Sequence, residues 1–440
     1  MLRLPVELQL RIVRLATNVP HLLDITPDPG DPAPPDIQDF DALVREFRSS
    51  LHTRRSLPLV SWGFNALCTP ILYECIRLTP NRVRRICSTL RASPSKATMV
   101  QHLIFDVSAR HREADLVALF SRLQAVRVLS VIANASVQES NRTTPYFSDT
   151  LASSMASNFG PSLRKLALHR RAVSTLLPQH AWDAFMAELV RLEAFVSTSL
   201  HSQLSLVSRF QAPSTVMSVP LPDSALPSLK YIHFDDASLQ VPARVQPTHL
   251  HCPLPSLRHV THTELAHLSL CVSFTLDDLL SMGSSVDPDF DIEDNIEATW
   301  HKSGAFATLN ATAPNLVSLT LTGALISFAD LLTKHPFPPT VSHLCFVSAA
   351  SMFSIVASLG GSMALSAQAW VDALGGLPGS VRRVVIQSPE WVGMLRDRVE
   401  AGEVDVEVLQ GCSFDLEDWE GHPVLPVRAL EDVRFLFEEG

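Results

Sequence analysis

Residues 249–271 concentrate potential metal ligands and proton carriers: His249, His251, Cys252, His259, His262, Glu264, His267 and Cys271. Imidazole and thiolate are donors that zinc prefers, so the residue types fit a metal site. Their spacing does not. His262, Glu264 and His267 read H-x-E-x-x-H, which misses the i, i+4 step by which H-E-x-x-H sets two histidines on one helix face. On a strand, alternate residues share a face, and imidazoles at strand edges account for the pattern without an ion. No metal and no cofactor is expected.

Two further stretches have the residues for chemistry but lack its geometry. Asp287, Asp289, Asp291, Glu293 and Asp294 alternate as in a calcium loop, yet Ile292 stands where the sharp turn needs glycine and Ala298 where a bidentate glutamate is needed. The expectation is a solvated acidic loop. Gly360-Gly361-Ser362-Met363-Ala364 approaches the G-x-S-x-G nucleophile elbow, with Asp372 and His422 following in hydrolase order. Ala364 replaces the last glycine, and a turn ahead of a helix at Gln368 explains the same residues, so a serine hydrolase is a remote alternative. No Walker loop or dinucleotide fingerprint occurs. The chain reads as a non-enzyme.

Composition narrows the class. A chain of 440 residues, 46% hydrophobic, has material for two or three domains or one elongated array. Its 45 acidic and 35 basic side chains give a net charge of −10, which argues against a general nucleic-acid or acidic-membrane binder. Seven dispersed cysteines with no Cys-x-x-Cys point to reduced thiols and an intracellular address, cytoplasm and/or nucleus. Glu7, Arg11 and Arg14 interrupt any signal-peptide core, and no apolar run is long enough for a membrane span. The sequons at Asn134, Asn141 and Asn310 are then chance matches.

The elements at the N-terminus are short helices. Leu4, Leu8, Ile12 and Leu15 recur on one helical face, with Pro5 at the start and Glu7 beside the orphan amides of the first turn. Leu59, Val60, Phe64 and Leu67 repeat that spacing, and Thr69-Pro70 reads as a restart into Ile71, Leu72 and Tyr73. Between them, Thr26 to Asp36 is proline-rich and acidic, an extended loop by expectation. Phe40, Leu43, Val44, Phe47 and Leu51 predict an inserted amphipathic helix to about Arg55, with Arg45, Arg48, Arg54 and Arg55 on or near its end; the expectation is a helix packed on the N-terminal helices with a solvated basic side.

The split pattern LPxELxxxI (Leu4, Pro5, Glu7, Leu8, Ile12) and LxLVS with LxxPxLY (Leu57, Leu59, Val60, Ser61, Leu67, Pro70, Leu72, Tyr73) resembles the F-box of fungal F-box proteins. That resemblance implies docking on a Skp-type adaptor, and through it a cullin-RING ubiquitin ligase. The adaptor-binding residues it points to are Leu4, Pro5, Leu8, Ile12, Leu59, Val60, Leu67, Pro70 and Leu72.

From about residue 95 apolar residues recur at positions one, four and six of short segments: Val100, Leu103, Phe105; Val126, Leu129, Val131; Leu163, Leu166, Leu168; Leu229, Ile232, Phe234; Leu265, Leu268, Leu270; Leu316, Leu319, Leu321; Val341, Leu344, Phe346; Val381, Val384, Ile386; and, more weakly, Leu192 and Phe195. This is the LxxLxL strand of a leucine-rich repeat, irregularly spaced. Breakers such as Leu226-Pro227, Ala313-Pro314 and Pro378-Gly379 precede the strands. Helices are expected over 114–123, 181–192, 368–374 and 389–400. Val404, Val406 and Val408 alternate with acids and predict a closing strand.

The expected fold is therefore α/β. An F-box-like helical bundle spans residues 1–80, with the inserted loop and helix over about 20–55. An irregular leucine-rich-repeat-like solenoid of strand-turn-helix units spans 95–440, its last segment, 410–440, acting as a cap. The expected function is that of a substrate receptor bridging the adaptor to an unknown protein substrate. Trp62 and Gly63 keep open an alternative, a repeat scaffold without ligase coupling.

Overall fold

The computed structural model describes residues 5–19, 23–25, 40–106, 112–132, 148–169, 179–198, 221, 226–234, 245–253, 263–271, 309, 313–322, 332, 338–347, 363–410, 412–418 and 420–424. The acidic run at 287–294, Ser362, His259, His262, Leu4 and the proline-rich stretch 26–36 lie outside them. The chain divides into two compact units, Met1–Leu204 with Pro213–Val245, and Ser205–Ala212 with Gln246–Gly440.

The first unit opens with helices α1 (Val6–Thr17), α2 (Phe40–Ser56) and α3 (Trp62–Glu74), with one 3-10 turn, Leu57–Leu59, between the last two. Pro5 is the N-cap of α1 and its carbonyl accepts from the Gln9 amide at 3.1 Å. The α2 helix matches the expected insertion. Ser61 caps α3, accepting from the Phe64 amide at 3.2 Å, so Leu59 and Val60 precede this helix and do not share a face of it with Phe64. Nor does the chain restart at Thr69: α3 runs through Pro70. The Thr69 hydroxyl donates back to the Asn65 carbonyl at 2.6 Å and keeps a polar partner on the turn that proline deprives of a donor.

Strands β1 (Cys75–Leu78), β2 (His102–Asp106), β3 (Val128–Ile132), β4 (Lys165–His169), β5 (Ala194–Thr198) and β6 (Tyr231–Phe234) pair in parallel, in chain order. The register stacks Leu103, Leu129, Leu166, Phe195 and Ile232 into one row. Strands β2, β5 and β6 are reached through tight turns: the amides of Val100, Leu192 and Leu229 donate to carbonyls three residues earlier, at 3.3, 3.0 and 3.1 Å. Between strands lie α4 (Pro80–Ala92), α5 (Pro94–Ala97), α6 (Glu113–Phe120), α7 (Asp149–Phe159) and α8 (Gln179–Ala187). The Phe105 ring meets Phe120 edge-on at 6.1 Å, and Phe120 meets Phe159 at 5.0 Å, which places α6 and α7 on the Leu103/Phe105 side of the sheet.

Because strand side chains alternate, Ile104 and Ile132 face the other way. There they pack with Val19, Val44 and Phe47. Farther along the same side Ala167, Ala194, Val196 and Tyr231 pack with Ile25, and Lys165 Nζ donates to the Asp24 carbonyl at 2.7 Å. The N-terminal insertion thus covers the sheet face left free by the repeat helices.

In the second unit β7 (His249–Pro253), β8 (His267–Cys271), β9 (Ser318–Thr322), β10 (His343–Val347), β11 (Arg383–Gln387) and β12 (Asp415–Asp418) also follow chain order. Each pairs in parallel with the next, in a register that aligns Leu250, Leu268, Leu319, Leu344, Val384 and Leu416. Helices α9 (Met363–Gly375), α10 (Pro389–Glu400) and α11 (Glu407–Gln410) accompany them. Trp370 contacts Phe346 at 5.3 Å and Trp391 at 6.0 Å, which fixes α9 and α10 to the leucine side. The expected strand over Val404, Val406 and Val408 is absent. Gly402 turns at φ 72°, and 407–410 is helical, so the edge is closed by β12 instead.

Candidate docking face

Arg54 holds the N-terminal helices together. Its Nε and Nη2 donate to the Thr17 carbonyl at 3.2 and 2.8 Å, and its Nη1 donates to the Ile71 carbonyl at 3.1 Å. One side chain of α2 thereby satisfies carbonyls near the ends of α1 and α3, which have few partners inside their own helices. The guanidinium also stands 5.5 Å from the centroid of the Phe47 ring. Burial lowers its pKa, opposed by Cys75 and then Glu74. Burial likewise raises the Glu74 carboxyl against the pull of Arg54 and Arg14, and pushes the Cys75 thiol up. The expectation of a wholly solvated basic side on α2 is corrected at this residue, which is 3% exposed.

Held this way, the helices turn part of their sequence-marked apolar set outward. The inward stripe of α1 is Val13 and Thr17, while Leu8 is 45% and Ile12 50% exposed. Leu59 is 85% and Val60 67% exposed. Pro5 and Pro70 are exposed, whereas Leu67 and Leu72 are half-buried. Val6, Leu15 and Trp62 add to the exposed set; Trp62, 90% exposed, stands outside the residues the sequence pattern marked, although it lies at an i, i+3 step from Leu59. Seven of the ten exposed large hydrophobics among the described residues lie between Val6 and Trp62.

The other sequence-marked chemistry is dispersed. Among the described residues no group of three or more His, Cys, Asp or Glu is arranged to hold a metal. His249 and His267 are cross-strand neighbours with rings stacked at 4.2 Å. Burial, with His267 nearby, lowers His249 to about 4. His251, whose Nδ1 lies 2.7 Å from the Ser269 hydroxyl, is also lowered to about 4 by burial. Asp372 accepts from Gln368 Nε2 at 2.8 Å, and His422 lies 3.3 Å from Glu420. No described helix is long and apolar enough to cross a membrane.

Comparison with known proteins adds little. No family model matches the chain, and no curated protein matches it. Among solved structures, a match to "Crystal structure of Rad7 and Elc1 complex in yeast" covers 64% of this chain and 78% of that one, at 14% identity and a TM-score of 0.24. A superposition that loose carries no argument.

Proposed function

We propose that the protein is the substrate-receptor subunit of a Skp-cullin-F-box ubiquitin ligase. In this reading Pro5, Leu8, Ile12, Leu59, Val60 and Trp62 meet a Skp-type adaptor, Leu67, Pro70 and Leu72 support that contact, and a protein substrate is held elsewhere on the chain. The observation that carries the reading is the exposure of Leu8, Ile12, Leu59 and Val60 of the F-box pattern, with Leu59 85% and Ile12 50% exposed. Exposed apolar side chains gathered in one segment are the usual mark of a protein interface, whereas scattered single ones are not. The mechanism is proximity: a tethered substrate lysine gains effective concentration near the ubiquitin carrier, and no catalytic group of this chain takes part.

Substrate contact is assigned to the repeat strands of the second unit. On the first unit's sheet, residues around Val19 and α2 already occupy the face opposite the helices. In the second unit the corresponding row carries His249, His267, Ser318, His343 and Arg383, all partly or fully exposed polar side chains.

Co-purification with a Skp-type adaptor tests the proposal. Wild type should retain the adaptor, and a Leu59→Asp, Ile12→Asp double variant with unchanged circular dichroism should lose it. Failure of wild type to bind would leave the scaffold without ligase coupling as the better reading.

A further inference from the structure

A cavity of about 640 Å³ opens between α2, the 3-10 turn, β1 and the start of α4. Its cationic wall is Arg48, His52 and Arg55 from α2, Arg77 from β1 and Arg82 from α4, and no Asp or Glu lines it. Arg48, Leu51, His52 and Arg55 follow one another at i, i+3, i+4 and i+7, so α2 presents them as a single stripe. In a chain of net charge −10 this is a local reversal of sign.

Three of these cations are uncommitted. Among the described residues Arg48, Arg55 and Arg82 have no carboxylate within ion-pair distance, in contrast to Arg84, which pairs with Asp115 at 3.2 Å, and Arg383, which pairs with Glu417 at 2.7 Å. The neighbouring Arg54, with the same side chain, is spent on backbone carbonyls. Thr79, the N-cap of α4, also lines the cavity, and its side chain makes no capping bond to its own helix. The positive end of that 13-residue helix therefore adds to the field of the arginines.

We propose that this cavity is a binding site for a small polyanion carrying several phosphates. Guanidinium groups match phosphate oxygens in pairs, and several converging on one concavity favour a ligand with more than one phosphate over a single inorganic ion. The size limits the occupant: small-molecule sites run from about 300 to 1,000 Å³, whereas a docked protein needs a broad surface. Leu51 and Leu59 give the cavity an apolar wall on which an attached organic group rests. The site shares Leu59 with the proposed docking face, but its cations lie outside the exposed apolar set, so the arginine variants test it separately from the Leu59→Asp, Ile12→Asp variant.

Calorimetric titration of the full chain tests it with tripolyphosphate, ATP without divalent metal, inorganic phosphate and a singly phosphorylated serine peptide. Tripolyphosphate should bind at physiological ionic strength at least about tenfold more tightly than inorganic phosphate, and each of Arg48→Ala, Arg55→Ala and Arg82→Ala should weaken it about tenfold. Arg45→Ala, on the same helix but outside the cavity, should bind as wild type does and shows that the loss is local. ATP binding more tightly than tripolyphosphate assigns a role to the leucine wall; equal affinity assigns recognition to the phosphates alone. The proposal is overturned if tripolyphosphate binds no better than inorganic phosphate, if the peptide binds more tightly than both polyphosphates, or if the arginine variants bind like wild type with circular dichroism unchanged.

Discussion

Between Val6 and Trp62 the periodic leucines face solvent, and from Val100 onward they face inward. Leu8, Ile12 and Leu59 are 45%, 50% and 85% exposed, whereas Val100, Leu103, Leu129, Leu163, Leu316 and Val381 are all at 0%. The difference lies in supply. Each repeat hands the next a strand and a helix, so every apolar row has a neighbour to close on. The three N-terminal helices bury Val13, Val44, Phe47 and Cys68 and half-bury Leu51, Leu67 and Leu72, but leave Leu8, Ile12, Leu15 and Trp62 largely open among the described residues. A hydrophobic period therefore says that a face must be covered; it does not say by whom.

The largest effect that would break the comparison is a charge placed in each region. Leu129→Asp inserts a carboxylate into a closed row and should cost about 5 kcal/mol, enough to unfold the first unit. Leu59→Asp should leave the free energy of urea unfolding within about 0.5 kcal/mol of wild type. Equal losses for the two variants would show that Leu59 is part of the fold and not of an interface.

Arg54 and Arg55 sharpen the contrast inside one helix. Truncating Arg54 leaves the Thr17 and Ile71 carbonyls and the half-buried Glu74 without their cation, so Arg54→Ala should cost about 3 kcal/mol. Arg55 is exposed and its removal should cost less than about 0.5 kcal/mol. Thermal melts of the two variants check this directly.

Within the second unit, the buried His251 makes the strands sensitive to acid. Its folded pKa is about 4, below its ordinary value of 6.5, because burial disfavours the charged ring. As pH falls below the ordinary value the unfolded chain takes up a proton that the folded chain refuses, so stability drops with acidification between those two values. At about pH 5 the loss is about 2 kcal/mol from this residue alone. His251→Gln should make the pH profile of the second unit's unfolding shallower over that window, leaving the share that His249 contributes; an unchanged profile would mean that His251 is not among the groups responsible.

The repeat strands were legible because their rows obey one rule: the first apolar residue closes a turn and the next two point to the helices. All nine segments marked in the sequence have a strand at their fourth to sixth positions, and β5, marked only by Leu192 and Phe195, is among them. Strands β1, β7 and β12 were missed. Cys75 to Leu78 is attached directly to the end of α3, His249 to Pro253 spends alternate positions on imidazoles, and Asp415 to Asp418 is acidic, so none shows the leucine signature. Pairing with a strong neighbour decides these cases, and pairing is not visible in a local window. The same limit applied to the site: spacing marked Leu8, Ile12 and Leu59, but the sign of their exposure depended on Arg54 reaching across from α2, a contact 37 residues distant in sequence from Thr17.

The smallest contrast is between two serine caps. Ser61 caps α3 with its hydroxyl exposed, accepting from the Phe64 amide at 3.2 Å; Ser388 caps α10 at 1% exposure, accepting from the Trp391 amide at 3.4 Å. Removal of a capping hydroxyl typically costs about 1 kcal/mol. At Ser61 water can take over the freed amide, so Ser61→Ala should fall below that value. At Ser388 the amide belongs to a buried tryptophan and water is excluded, so Ser388→Ala should reach or exceed it. Hydrogen exchange at the Phe64 and Trp391 amides separates the two, with a large rise at Trp391 expected in its variant and a small one at Phe64. Similar rises at both would mean that the α10 cap is as open to solvent as the α3 cap, and that the inward-facing half of the comparison is looser than its buried rows imply.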